Sequence, residues 1–354
     1  MREPDYTKIG CQIDNRFQEG LPNESARDYS PRGSIIRNSE PNRPWARIAS
    51  SAPSANSQFL FNELLAESAL EAARHQGLSL ELAMSEWKDK TALVTGASYG
   101  IGEAFARRLA ADGANVIITA RSRDRLYSLA DELRSRYGAN VTVIEADLAR
   151  PSTPEEIFRM TEGSGVQIDL LVNNAGFGAV GDFADLPLAR QLEMIQVNVT
   201  ALVALSHLFL QAMSGRRAGA IIQVASTASF QGVPYSSIYS ATKAFILNFS
   251  EGLWAECREY GVRVLALCPG PTATHFQTVA GTAHLRDPQK MQTSEEVVEA
   301  GLKALAQNRS VAISGFNNKL MVWAERLVSR NFATRMAAKL FRPFSTRSNQ
   351  YRER

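Results

Sequence analysis

From Thr91 onward the chain alternates short runs that are apolar on both faces with longer stretches whose apolar residues recur every three or four positions. The short runs Thr91–Thr95, Asn115–Ala120, Val141–Glu145, Ile168–Asn173, Ala220–Ala225, Val262–Cys268 and Val311–Ser314 read as strands. Helical patterns begin near Gly100, Arg123, Pro154, Pro187, Ile238 and Ser294. A strand that is apolar on both faces must be covered on both, and strands that alternate with helices run parallel. The pattern therefore predicts a doubly wound α/β sheet over residues 84–314. The most apolar stretch, Val197–Met213, is shorter than the ~20 residues that span a bilayer and contains Asn198, Ser206 and His207. It is expected to be a buried helix, with His207 packed in it.

Both ends depart from this alternation. Residues 1–58 hold six of the fourteen prolines, many Ser, Asn and Arg, and no sustained apolar period, a composition that cannot bury enough surface to fold. Phe61, Leu64, Leu65, Ala69 and Ala72 then fall at helical spacing, with Gly77 placed to stop a short amphipathic helix. Residues 1–83 are expected to be a disordered or weakly helical extension. Met84, just before the first strand, is either an alternative start or the junction with a docking extension. Residues 315–354 mix Leu320, Met321, Trp323, Leu327, Phe332, Met336, Leu340 and Phe341 with basic residues; from Asn331 onward there are six Lys or Arg and one acid. Such a basic amphipathic tail either packs its apolar side on the domain or a second subunit, or lies on an anionic membrane surface.

Composition narrows the class. At 354 residues, 45% hydrophobic and 21% charged, the chain is ordinary for a soluble globular protein, and a net charge of +3 gives no reason to expect a nucleic-acid partner. Cys11, Cys257 and Cys268 are scattered, so neither a disulfide framework nor a metal site is expected. The N-terminus has no apolar core followed by a small-residue cleavage site, which leaves a cytoplasmic location as the expectation.

The candidate chemistry begins after the first strand. Thr95-Gly96-Ala97-Ser98-Tyr99-Gly100-Ile101-Gly102 joins a strand to a helix, the context in which glycines let the backbone approach a pyrophosphate and a helix N-terminus offers free N–H groups. The second strand ends Ala120-Arg121-Ser122-Arg123, where an enzyme that prefers the unphosphorylated dinucleotide would offer a carboxylate to the ribose hydroxyls. Arg121 would instead meet a 2′-phosphate, which favours NADP(H). Asp147, after the third strand, either meets the adenine or caps a helix. Tyr239 and Lys243 stand four apart on an expected helix, so both side chains share a face, and an ammonium beside a phenol favours its phenolate. Ser226 follows the fifth strand, at the carboxyl edge of the sheet, where ligands of such folds bind.

Taken in order, these motifs resemble those of the short-chain dehydrogenase/reductase family over roughly residues 87–313. The resemblance rests on the Thr95–Gly102 loop, Asn173-Asn174-Ala175-Gly176, Ser226 thirteen residues before Tyr239, Tyr239-Ser240-Ala241-Thr242-Lys243, and Pro269-Gly270 followed by Thr272 and Thr274. It implies a Rossmann-type fold in a single domain with N- and C-terminal extensions. The implied catalytic set is Asn198, Ser226, Tyr239 and Lys243, with Asn198 holding a water that joins Lys243 to a proton relay. For the cofactor, NADP(H), the implied set is Gly96, Ser98, Tyr99, Gly100, Ile101, Gly102, Arg121, Asp147, Leu148, Asn174, Ala175, Gly176, Tyr239, Lys243, Pro269, Gly270, Thr272 and Thr274.

The expected reaction is hydride transfer with a lipophilic ketone, aldehyde or secondary alcohol. Phe177, Phe230, Val233 and Tyr235 would flank the substrate, and Thr272–Met291 would form a mobile loop above it. The resemblance also implies a homodimer or homotetramer. A non-catalytic NADP-sensing or scaffold protein on the same fold is the alternative, and it predicts decay of a catalytic set that is in fact complete.

Overall fold

The computed structural model describes residues 86–280 and 291–341. The expected extension over residues 1–83 and the end of the basic tail therefore lie outside the described residues.

Seven parallel strands form one sheet: β1 (Thr91–Thr95), β2 (Asn115–Ala120), β3 (Val141–Glu145), β4 (Leu170–Asn173), β5 (Gly219–Val224), β6 (Val262–Cys268) and β7 (Val311–Ile313), in the order β3-β2-β1-β4-β5-β6-β7. The period of two along each strand divides the core. Val94, Ile118, Val172, Ile222 and Leu267 face one side, under α1 (Gly100–Ala111) and α2 (Arg123–Tyr137). Leu93, Ile117, Leu171, Ile221 and Val264 face the other, where α3 (Thr153–Met160) packs.

The run from Leu188 to Gly215 is helical throughout: α4 (Leu188–Ile195), a π-helical turn (Gln196–Thr200) and α5 (Ala201–Gly215). It is longer than the apolar stretch read from the sequence, and by length and composition it could cross a membrane. In this fold Leu205, Phe209 and Met213 are buried against the sheet, and Ser206 donates to the Leu202 carbonyl at 2.7 Å. His207 is not packed as expected. It lies on the exposed side of α5, with Gln211 one turn away at 3.1 Å.

The remaining elements are α6 (Ser237–Cys257), the short α7 (Phe276–Val279), α8 (Ser294–Ala306), α9 (Phe316–Glu325) and α10 (Arg330–Phe341). Thr293 caps α8 in a capping box with Glu296, which satisfies N–H groups that the helix leaves free. The strand order reverses between β1 and β4, so the loops leaving these two adjacent strands diverge and open a crevice at the carboxyl edge.

Candidate active site

The crevice is built by hydrogen bonds that begin at the end of β1. Buried Thr95 accepts through Oγ1 from the N–H groups of Asn174 and Ala175, both at 3.0 Å. Asn174 returns Nδ2 to the carbonyls of Thr95 and Gly96 at 2.9 and 3.1 Å. The two loops approach so closely that a Cβ on Gly96 would stand 2.8 Å from the Ala175 backbone, and Gly96 has a φ of +66°. Only glycine meets both demands without strain. Tyr99, at the N-cap of α1, provides no side-chain acceptor, so the first N–H groups of the helix stay free beside the cleft. Buried Thr119 lines the same space, and its hydroxyl has no partner among the described residues. This combination of close glycine backbone, free helix N–H groups and an unpaired hydroxyl fits the diphosphate and ribose portions of a dinucleotide.

The cleft has a volume of about 1160 Å³, above the ~300–1,000 Å³ usual for a small-ligand pocket. Every expected catalytic or cofactor residue lines it except Gly102 and Asn198. Gly102 instead packs under Asn174 and the Gly96 carbonyl. Asp147 is not a helix cap: its carboxylate accepts from the Ala149 N–H at 3.0 Å, while Ser152 occupies the N-cap of α3. Arg121 lies in the lining, and the fold brings it the carboxylate that its own strand lacks. Glu193 of α4 stands 3.4 Å from its guanidinium and is held at 2.8 Å by Arg190.

Tyr239 and Lys243 project from one face of α6, as their spacing predicts. Ser226 caps the short turn after β5, accepting from the Ala228 N–H at 3.1 Å, and it hydrogen-bonds the Tyr239 hydroxyl. Lys243 is nearly inaccessible and donates from Nζ to the Val224 carbonyl at 2.7 Å, with its ammonium 5.8 Å from the Tyr239 ring centroid. Desolvation pushes the Tyr239 phenol up to about 12, opposed by the Ser226 hydrogen bond, and lowers Lys243 to about 8. The expectation that Lys243 favours the phenolate thus gives way to burial: this arrangement keeps the phenol protonated.

Asn198 sits behind the cleft in the π-helical turn, fully buried. Its amide brackets Phe177, accepting from the N–H at 3.1 Å and donating to the carbonyl at 3.0 Å, and it reaches Thr242 Oγ1 at 3.1 Å. It therefore ties the β4 loop to the helix that carries Lys243. Such π-helical insertions recur at functional sites.

Of the expected substrate wall, Phe177 and Val233 line the cleft. Phe230 packs instead against the core under α6, and Tyr235 is used through its backbone, its carbonyl accepting from Gly181 at 2.9 Å. Thr272, Thr274, His275 and Phe276 close over the opening; residues 281–290 of the expected loop lie outside the described residues. Tyr99 is stacked on His275 with centroids 4.6 Å apart, and the Arg125 guanidinium lies 4.3 Å from the Tyr99 ring.

The part that the sequence reading missed is the roof. Met321, Glu325, Val328, Phe332 and Met336 of α9, α10 and their connection line the cleft. Their spacing of four, three, four and four was the available signal, but it is the same whether such residues face a core or a cavity. The tail meets the domain through buried Val322 and Ala337 and through Asn318, whose Nδ2 donates to Gln292 at 3.0 Å, whereas Phe316, Leu320, Trp323 and Leu327 remain exposed. Among the described residues, no group of three or more His, Cys, Asp or Glu is placed to hold a metal ion.

A short chain dehydrogenase family model matches residues 90–284, more than half of the chain. The chain belongs to the short-chain dehydrogenase family. A 7beta-hydroxysteroid dehydrogenase of Collinsella aerofaciens is 31% identical over 245 residues, covering 68% of this chain and 90% of that protein. Among solved structures, a short-chain dehydrogenase from Sphingobium yanoikuyae in complex with NADPH is 34% identical, with a TM-score of 0.59, over 63% of this chain and 87% of that one. A 7beta-hydroxysteroid dehydrogenase is 29% identical, with a TM-score of 0.66, over 72% and 99%. As a member of the family, this short-chain dehydrogenase is an oxidoreductase acting on a CH–OH/C=O couple with a nicotinamide dinucleotide.

Proposed function

We propose that this short-chain dehydrogenase reduces a lipophilic ketone or aldehyde with NADPH, Tyr239 giving the proton to the carbonyl oxygen. The observation that carries the reading is the Tyr239 hydroxyl, bonded to Ser226 and kept protonated in a cleft walled by Phe177, Val233, Phe276 and Met336. When bound, the dinucleotide supplies the hydride. Ser226 orients the reacting oxygen toward the phenol, and the nearby Lys243 ammonium offsets the negative charge left on Tyr239 once its proton has gone. A protonated phenol is the form that can give a proton to a carbonyl oxygen.

Arg121 at the end of β2 supports NADP(H) over NAD(H), because its guanidinium is half exposed in the cleft lining and, among the described residues, held only by a long contact to Glu193. The hydroxysteroid dehydrogenases among the relatives support a bulky, largely apolar substrate. The exposed apolar side chains of the roof, interspersed with Lys319, Arg330 and Arg335, support peripheral contact with an anionic membrane. The outward Phe245, stacked on Phe249 along α6, supports pairing with a second copy of the chain.

The test is NADPH and NADH oxidation by the purified protein against steroid, aromatic and long-chain carbonyls, beside Tyr239→Phe. Turnover of lipophilic carbonyls with NADPH that the variant loses is the expected result. Turnover confined to small polar sugars, or unchanged in the variant, would overturn the reading.

A further inference from the structure

Glu325 ends α9 and contributes to the cleft lining, among Met321, Val328, Phe332 and Met336. Its Oε2 is shielded from solvent and has no hydrogen-bond partner among the described residues. The other charged side chains in the lining are accounted for: Arg121 faces Glu193, Asp147 accepts from Ala149, and Lys243 donates to Val224. The roof thus carries one carboxyl group, set in an apolar surface that opens on the same cavity as Tyr239. Desolvation pushes it up to about 7.

A shielded acceptor without a partner destabilises the fold, and replacing it with an apolar residue of similar size would remove that penalty. Proteins keep such groups where a ligand completes them. We infer that Glu325 is a substrate-binding residue whose carboxyl group receives a hydrogen-bond donor, a hydroxyl or an ammonium, that the substrate carries in addition to its reacting carbonyl. The inference rests on the proposed carbonyl reduction and narrows its substrate class. Lipophilic ketones bearing a second hydroxyl or amino group fit; ketones that present a carboxylate to the roof do not, because like charges would meet in a poorly solvated space.

The experiment measures kcat/KM with NADPH for three matched ketone pairs: cyclohexanone and 4-hydroxycyclohexanone, 2-undecanone and 11-hydroxy-2-undecanone, and androstan-17-one with and without a 3-hydroxyl. A 3-amino steroid forms an additional arm. Wild type, Glu325→Gln and Glu325→Leu are compared, with thermal unfolding of each. In wild type, at least one donor-bearing ketone is expected to exceed its plain partner by about tenfold, the size of one such hydrogen bond. Glu325→Gln should keep part of that preference. Glu325→Leu should abolish it and should unfold no earlier than wild type.

The inference is overturned if no donor-bearing ketone is preferred, or if the preference survives in Glu325→Leu. Failure of the parent reading looks different: no ketone of any pair would be reduced by wild type.

Discussion

Lys243 donates a hydrogen bond from its ammonium to the carbonyl of Val224, 2.7 Å away at the end of β5, and so stands beside the Tyr239 ring without bonding to its hydroxyl. The lysine is thereby anchored to the sheet, and its lowered pKa of about 8 makes its charge sensitive to mildly alkaline pH. Because the folded-state value lies below the ordinary one, the ammonium is present below pH 8 and is lost as pH rises through it. Carbonyl reduction should therefore fall on the alkaline side with an apparent pKa near 8 in the kcat/KM profile. Lys243→Met should be slower by ~10²-fold or more and should lose that limb. An unchanged limb in the variant would assign the titration to another group.

Tyr239 is shifted the other way. A phenol raised to about 12 keeps its proton across the neutral range. In the ligand-free protein, the ultraviolet difference between wild type and Tyr239→Phe should show phenolate only above pH 11. Turnover in the variant should drop by ~10²–10⁴-fold, with NADPH binding retained. A phenolate signal appearing at pH 8 would contradict the burial argument.

Thr95 serves two backbone N–H groups with one oxygen. In Thr95→Val the shape is kept and both donors lose their acceptor, which should cost about 2–6 kcal/mol at about 1–3 kcal/mol per unsatisfied group. For a domain of this size each kcal/mol lowers Tm by about 2–4 °C, so calorimetry should show a fall of at least about 4 °C. A fall below 2 °C would mean that the two loops do not depend on this hydroxyl.

Much of this frame is legible in the sequence, for a physical reason. Strands buried on both faces are unbroken apolar runs between Gly, Asn and Asp, so β1, β2, β3 and β6 begin and end where the pattern puts them. Strand β4 starts two residues later than expected because the Ile168 carbonyl is taken by Arg216 instead of a neighbouring strand. Tyr239, Lys243 and Ser226 could be found because side-chain chemistry and spacing both mark them. The Val224 carbonyl could not, since a backbone acceptor has no signature in side-chain pattern, and neither could Glu193, which the fold brings from 72 residues away. Glu325 was hidden because an isolated acid in a basic tail looks solvated until its neighbours are known.

Asn198 holds both backbone groups of Phe177 and reaches Thr242. Asn198→Ala would leave those groups unpaired in the interior, costing about 2–4 kcal/mol. It should lower kcat more than it raises KM, because it loosens the junction between the β4 loop and α6 rather than the substrate wall. Equal changes in both constants would place its role in binding.

Arg121→Ala should weaken NADPH binding by about tenfold, the lower range for a charge-assisted contact on an exposed side chain, and leave NADH binding unaltered. Calorimetric titration with both dinucleotides reads this directly. Equal losses for the two would show that Arg121 does not meet a 2′-phosphate.

The roof gives the molecule a division of labour along its length. The surfaces that fit the diphosphate and ribose portions of a dinucleotide are assembled before residue 180, beside the sheet, whereas Met321, Glu325, Val328 and Phe332 come from the last part of the described chain, which meets the domain through Val322, Ala337 and Asn318. Substitutions in this terminal segment can accumulate without disturbing a single strand. Relatives of this enzyme could thus exchange what they recognise by replacing one contiguous piece of chain, an inheritance of specificity that is separate from the inheritance of the fold.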